Sequence, residues 1–336
     1  MRIAANELRQ LFEDILISRN VPHAIAQTAA ENFTQSSIDG IYSHGVNRFP
    51  RVIEYLDKGV IDGAATPECI ARMGSFERWD GHMGLGNVNA KLAMDRACSL
   101  AKESGIGCVA IGNTNHWMRG GAFGWQAANQ GCIGICWTNT MPNTPAWGGK
   151  EPRIGNNPFV ISVPQSEGRH IVVDCAMSQF AYGKIEMARM NGEQLPVPGG
   201  WDTQGNITTD PAEIEKSQRV LTIGYWKGSG LSIVLDLVAS ILSGGNTVTD
   251  IGKKYTDEIG LSQVLIAIDP SHLNTKAVTD SIIETVLNDI KTSTPTNENQ
   301  KIYYPGEREF NTRNENLANG IPVIDEVWQT LLSLKK

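Results

Sequence analysis

Apolar residues recur with a helical period from the start of the chain: Leu8, Leu11, Phe12, Ile15 and Leu16 share one face of a helix over residues 6–16. A second helix is predicted from Pro22 to Ile38 and a third from Ser43 to Asp57, with Ser43 as its cap. The pattern then changes. Residues 66–88 are glycine-rich and mixed, Asn89–Ser104 is again a helix, and Cys108–Ile111 is a short buried strand. A helix near Phe123–Asn129, strands at Ile133–Trp137, Phe159–Val163 and Ile171–Cys175, and a helix over Lys184–Met190 continue the alternation. Residues 191–219, with Pro196, Pro198, Gly199, Gly200 and Gly205, read as a loop far longer than ordinary connections. Beyond it come an apolar helix from Leu231, a strand at Val264–Ile268, a helix over Leu273–Ile290, a polar loop at 292–300 and a closing helix at Asp325–Leu334. Alternation of this kind suggests a parallel sheet.

With 336 residues, 41% apolar and 19% charged, the chain can bury a substantial core, which excludes a disordered or fibrous protein. Twenty-nine basic against thirty-six acidic residues give a net charge of −7 without long runs of one sign, so no nucleic-acid partner is expected. Leu231–Leu242 carries Asp236 and is shorter than the ~20 residues a bilayer requires, so no membrane span is expected. Charges at Glu7, Arg9, Glu13 and Asp14 interrupt any signal-peptide core, and the mature chain is expected to start at Met1. Six cysteines without a Cys-x-x-Cys pair read as reduced thiols, which fits a cytoplasmic enzyme. The six histidines are scattered without His-x-x-x-His spacing, so no metal is expected, and no Gly-x-Ser-x-Gly elbow marks a serine hydrolase.

Ser43-His44-Gly45-Val46-Asn47-Arg48 carries the strongest chemistry. On one helix His44 and Arg48 would share a face, aiming a proton donor and a carboxylate clamp at one spot, which is what reduction of a keto acid needs. By spacing alone, the plainer reading of a capping histidine beside a solvated arginine carries more weight. Asn113-Thr114-Asn115-His116-Trp117-Met118-Arg119-Gly120-Gly121 follows a predicted strand, where scaffolds present ligand-contacting loops; His116 is either a substrate contact or part of a stapled turn. Gly224-Tyr225-Trp226-Lys227-Gly228-Ser229-Gly230 leads into the apolar helix and suits a phosphate, although it matches neither the P-loop nor the dinucleotide fingerprint. Gly81-His82-Met83-Gly84-Leu85-Gly86 also fails that fingerprint, so a Rossmann domain is not supported.

Taken in order, Tyr42-Ser43-His44-Gly45-Val46-Asn47-Arg48-Phe49-Pro50-Arg51, Asn115-His116-Trp117-Met118-Arg119-Gly120-Gly121, Ile133-Gly134-Ile135-Cys136-Trp137-Thr138-Asn139 and Gly224 to Gly230 resemble the type 2 malate/L-lactate dehydrogenase family. The similarity extends to Gly306-Glu307-Arg308. The resemblance implies an α+β, non-Rossmann nicotinamide-binding fold: a helical N-terminal part plus a central, largely antiparallel sheet wrapped by helices. It outweighs the parallel sheet that alternation suggests. It further implies a homodimer and NAD as cofactor, with NADH the reductant and NADPH the alternative. The domains expected are 1–65, helical and carrying the proton donor; 66–290, sheet-bearing and cofactor-binding; and 291–336, packing back on the helical part.

Carried over by position, His44 matches the family's proton donor. His170, Ile171, Val172, Val173, Asp174, Cys175 and Ala176, the pair Trp226 and Lys227, and the triplet Gly306, Glu307 and Arg308 match its cofactor contacts. Ser43, Arg48 and His116 are assigned here to the substrate. Asp174 is the candidate to orient His44, since a carboxylate on the second ring nitrogen would keep the donor protonated and aimed. Met118 stands where malate and lactate members commonly have glycine, which argues against plain malate or lactate specificity and for a 2-keto sugar acid. Two alternatives remain: a reductase of another 2-keto acid or cyclic imino acid, and a non-catalytic nicotinamide-binding sensor.

Overall fold

The two leading apolar stripes both become helices, and their buried faces meet. The computed structural model describes residues 1–335. Strand β1 (Arg2–Ile3) leads into α1 (Ala5–Ile17), which buries Leu8, Leu11, Phe12, Ile15 and Leu16, and α2 (His23–Ile38) buries Ile25, Ala26, Ala29, Ala30 and Phe33 against it. The stretch after α2 departs from expectation. Instead of one helix from Ser43, a 3-10 turn spans Tyr42–His44 and α3 begins at Phe49, running to Asp57. Gly45, with φ −113° and ψ −118°, separates the two, so Ser43 caps nothing. Phe49 nevertheless locks α3 into the helical core, stacking on Phe12 at 4.2 Å and meeting Phe33 edge-on at 5.1 Å.

A hairpin of β2 (Glu68–Met73) and β3 (Phe76–Asp80) opens the sheet-bearing part, followed by α4 (Gly86–Ser104), β4 (Ile106–Thr114), α5 (Gly121–Asn129) and β5 (Ile133–Thr138). A small ribbon of β6 (Thr144–Pro145) and β7 (Pro152–Ile154) precedes β8 (Phe159–Val163) and β9 (Ile171–Cys175). The expected loop at 191–219 is not structureless. After α6 (Tyr182–Met190) it holds the ribbon β10 (Gly200–Trp201) and β11 (Ile207–Thr208) and the helix α7 (Pro211–Ser217), with Phe180, Ile185, Leu195, Ile214 and Val220 forming a satellite core. The apolar helix starts five residues before the predicted Leu231, as α8 (Trp226–Ser243). The chain closes with α9 (Val248–Lys254), β12 (Leu261–Ile268), α10 (Lys276–Thr292), α11 (Glu307–Asn319), β13 (Ile321–Pro322) and α12 (Asp325–Leu334). Trp328 and Leu331 of α12 join the N-terminal helical core, and β13 pairs with β1.

Seven strands form one sheet in the order β2-β3-β4-β12-β5-β8-β9. Only β3 and β4 run parallel; every other neighbouring pair is antiparallel. Alternation of helix and strand therefore misleads here, because β12 arrives late in the chain and inserts antiparallel between β4 and β5. The two-residue period of the strands sorts their side chains. Val109, Ile111, Leu265 and Ala267 pack under α4 and α5, while Ala110 and Val264 face Leu235 and Ala239 of α8. Helix α8 has the length and mean hydropathy, 18 residues and 1.2, of a bilayer-crossing segment. Its inner face is nonetheless a layer of this core.

Candidate active site

His44 owes its position to the turn that replaces the predicted helix. Val46 N–H donates to Ser37 Oγ at 2.9 Å, and Ile41 N–H to the Ser36 carbonyl at 2.9 Å, fastening the turn to the end of α2. A Cβ on Gly45 would lie 2.3 Å from Ser37 Oγ and 2.9 Å from its backbone nitrogen, so only glycine permits this approach. Gly45→Ala should destabilise the fold by about 1–3 kcal/mol, read as a lower urea midpoint with an unchanged slope. Ser43 Oγ sits 2.9 Å from His44 Nδ1, which leaves Nε2 as the ring nitrogen without a hydrogen-bond partner among the described residues.

The loop leaving β4 supplies the second histidine. Asn115 pins it, donating from Nδ2 to the Met83 and Gly84 carbonyls at 2.7 and 2.8 Å and accepting from Gly260 N–H at 3.2 Å. His116 Nδ1 accepts from Met118 N–H at 2.9 Å, which fixes a neutral ring with its proton on Nε2. Met118 takes φ +67°, the left-handed region that glycine occupies freely, while its side chain is buried in the N-terminal core. Arg119 is buried and ion-paired with Asp39, which also accepts from Arg313 Nε at 2.7 Å. One buried carboxylate thus joins α2, the His116 loop and α11.

The His44 and His116 rings lie 5.8 Å apart between centroids and 26° from parallel. Arg48, the residue preceding α3, and His116 Nε2 each approach one Glu258 oxygen at 3.7 Å. Glu258 was not singled out in the sequence; the Tyr255–Gly260 segment has no motif that would have marked it. These four groups are all half-buried. Burial, reinforced by the cations Arg48 and Arg119, lowers the His44 pKa to about 4. Burial, with Arg48 and His44, also holds His116 well below the usual histidine range, and burial raises Glu258 against the pull of Arg48.

Asp174 does not reach His44. Its carboxylate accepts from Gly121 N–H at 2.7 Å beside Arg119, so the direct orienting bond expected from the sequence is absent among the described residues. Crowding raises its pKa, opposed by Arg119 and the Gly121 N–H. The residue still has a solvent-exposed side. The partner of His44 Nδ1 is Ser43, and Arg119 is the charge standing near both His44 and Asp174.

The three segments expected to contact the cofactor lie along one edge of the sheet. Strand β9 is the last strand, pairing with β8 alone. At its start Val172 N–H donates to the Pro305 carbonyl at 3.0 Å, and Gly306 at φ +93° packs so tightly that a Cβ would sit 2.7 Å from the His170 carbonyl oxygen. Just past its end Ile223 N–H donates to the Met177 carbonyl at 2.8 Å, and Ser178 bridges to Thr222. Trp226–Lys227 and Glu307–Arg308 are the first residues of α8 and α11, so two helix N-termini flank the strand, a favourable setting for a dinucleotide's phosphates. Buried Ser178 Oγ and Trp125 Nε1 have no hydrogen-bond partner among the described residues, which leaves donors near both ends of this edge. The residues fit a nicotinamide dinucleotide. His170 is the exception in its side chain: Nδ1 accepts from Gln165 N–H at 3.0 Å and Nε2 lies 2.8 Å from Asn129 Oδ1, leaving its backbone for a ligand.

Residues 3–332 match the family described as malate/L-lactate dehydrogenase. The chain belongs to the malate/L-lactate dehydrogenase family. It is thereby an NAD(P)-dependent oxidoreductase, and the mixed sheet described above is the fold of its solved relatives. The chain is 45% identical to a 2,3-diketo-L-gulonate reductase of Citrobacter koseri and 46% identical to one of Escherichia coli, in both cases over 99% of this chain and 100% of the relative. Sulfolactate dehydrogenase from Methanocaldococcus jannaschii superposes with a TM-score of 0.91 at 30% identity, covering 99% of this chain and 96% of that one.

Proposed function

We propose that this enzyme reduces 2,3-diketo-L-gulonate to 3-dehydro-L-gulonate at the C2 carbonyl, with NADH as reductant. The observation that carries the reading is the meeting of His44, Arg48 and His116 in one cleft of a chain whose full-length relatives bear that reductase name. Arg48 binds the substrate carboxylate; at 3.7 Å its contact with Glu258 is longer than a hydrogen bond and leaves the fork of donors available. His116 donates from Nε2–H to a substrate oxygen, and Ser43 steadies His44 through Nδ1 while Nε2 faces the carbonyl oxygen. The bound nicotinamide supplies the hydride to C2, and His44 gives the proton to the oxygen. Asp174 and its neighbours from His170 to Ala176, with Trp226, Lys227, Gly306, Glu307 and Arg308, hold the cofactor along β9. Following nicotinamide absorbance with the sugar acid, pyruvate and oxaloacetate in turn, each with NADH and NADPH, tests this. Oxidation of NADH by the sugar acid in preference to the others is expected, and preference for a simple keto acid would replace the substrate.

The charge environment sets a pH signature. With His44 near 4 in the free enzyme, kcat/KM for reduction should fall as pH rises above that value, because the acid must be charged to donate. A bound substrate carboxylate offsets Arg48, one of the cations that suppress His44, so the limb in kcat should lie at higher pH than the limb in kcat/KM. Coincident limbs, or limbs that survive in His44→Gln, would remove His44 from the role.

A homodimer is the proposed assembly. Helix α8 turns Leu231, Val234, Leu237 and Ile241 outward at helical spacing, with Ile241 72% exposed. Val234→Glu combined with Ile241→Glu should yield monomers in sedimentation velocity; an unchanged dimer would move the interface elsewhere. The six cysteines are all unpaired, which supports the cytoplasmic setting proposed for the enzyme.

A further inference from the structure

Glu258 has no task in the reaction above. Its segment is fixed on both sides: Tyr55 Oη donates to Asp257 Oδ1 at 3.0 Å, and Gly260 N–H donates to Asn115 Oδ1 at 3.2 Å. The Glu258 side chain is 16% exposed and stands 3.7 Å from both Arg48 and His116, too far for a hydrogen bond to either. A carboxylate kept only as a counter-ion closes on its partner, as buried Glu77 does on Arg96 Nη2 at 2.7 Å. Glu258 accepts from the backbone N–H of Met141 and leaves its remaining acceptor positions open, beside the guanidinium that receives the substrate carboxylate. An ionised carboxylate offers acceptors only, so it welcomes hydroxyl groups and opposes another anion.

We infer that Glu258 determines specificity in this site: it accepts hydrogen bonds from the hydroxyls of a polyhydroxylated 2-keto acid and repels a second carboxylate on the substrate. The first half rests on the substrate reading given above. A site that hydrogen-bonds a substrate hydroxyl discriminates strongly against an analogue lacking it. The residue is a selector rather than a proton carrier.

The test is kcat/KM for 2,3-diketo-L-gulonate, oxaloacetate and pyruvate with the wild type and Glu258→Gln, with Glu258→Ala as a second variant and melting curves on all three. Glu258→Gln keeps the shape and removes the charge. It should lower kcat/KM for the sugar acid by about tenfold to a hundredfold, raise it for oxaloacetate, and change it little for pyruvate, which has neither a hydroxyl nor a second carboxylate. Equal losses on all three substrates would mean that Glu258 only props up Arg48, and would overturn the inference; so would no change on any. A wild type that ignores the sugar acid would overturn the substrate reading instead. The inference then stands only if Glu258→Gln raises oxaloacetate turnover relative to pyruvate.

Discussion

His44→Ala should lower kcat for keto-acid reduction by about a hundredfold to ten-thousandfold, the usual worth of a positioned general acid, while leaving NADH affinity nearly unchanged. The size follows from the site. His116 cannot substitute as the acid, because its Nδ1 accepts from Met118 N–H and the ring is held neutral by burial and the cations Arg48 and Arg51. Arg48 and Arg119 do not release protons in this pH range. Removing His44 therefore leaves water as the donor to an alkoxide that the Nε2–H of His116 partly stabilises, so a residual rate survives. The proposed cofactor segments lie on β9 and the N-termini of α8 and α11, whereas the Asn316 bond that joins α11 to Tyr42 comes from near the other end of that helix. NADH binding measured by fluorescence should thus match the wild type while turnover collapses. His44→Gln, which keeps a hydrogen-bond donor and removes the titrating ring, should be nearly as slow; a fast glutamine variant would mean that His44 positions the substrate and donates no proton.

Arg48→Met should reduce kcat/KM by about a hundredfold to a thousandfold, equivalent to ~3–4 kcal/mol for a lost bidentate charge-assisted contact. Most of the loss should fall on KM, in contrast to His44, because the guanidinium binds the carboxylate before and during hydride transfer alike. Arg48→Lys keeps the charge without the planar fork and should recover only part of the loss. The substitution also leaves Glu258 without Arg48, the nearer of the two arginines that act on it. Arg48→Met combined with Glu258→Gln should for that reason be milder than the two single losses added together. If Arg48→Met matched the wild type in KM, the carboxylate would have to bind elsewhere, with Arg119 excluded by its burial against Asp39.

What the sequence made legible, and what it hid, follows from where apolar residues carry the packing. Leu8, Leu11, Phe12, Ile15 and Leu16 announce α1, and the strands Phe159–Val163 and Ile171–Cys175 are legible at their true limits because both are runs rich in valine and isoleucine. Helix α11 was invisible because its inner side is polar: Arg313 reaches Asp39, and Asn316 Nδ2 donates to the Ile38 carbonyl at 2.9 Å. Strand β2 was invisible because all six of its residues are exposed. The helix read from Ser43 failed at Gly45, whose close approach to Ser37 no local pattern records. His44 and Arg48 still converge, through a turn rather than a shared helix face. Glu258 joins them from a segment remote in sequence, and such a contact is set by topology, with β12 inserted between β4 and β5. The antiparallel sheet was legible only through the family resemblance, since helix-strand alternation pointed the other way.

The central claim is hydride delivery to C2 of a 2-keto sugar acid. The most direct measurement is turnover of 2,3-diketo-L-gulonate with NADH deuterated at the transferable position, followed by magnetic resonance of the product. The account predicts deuterium on C2 of 3-dehydro-L-gulonate, both from the wild type and in the small amount of product that His44→Ala forms. Deuterium on C3, or label that reaches pyruvate while the sugar acid is left untouched, would contradict it.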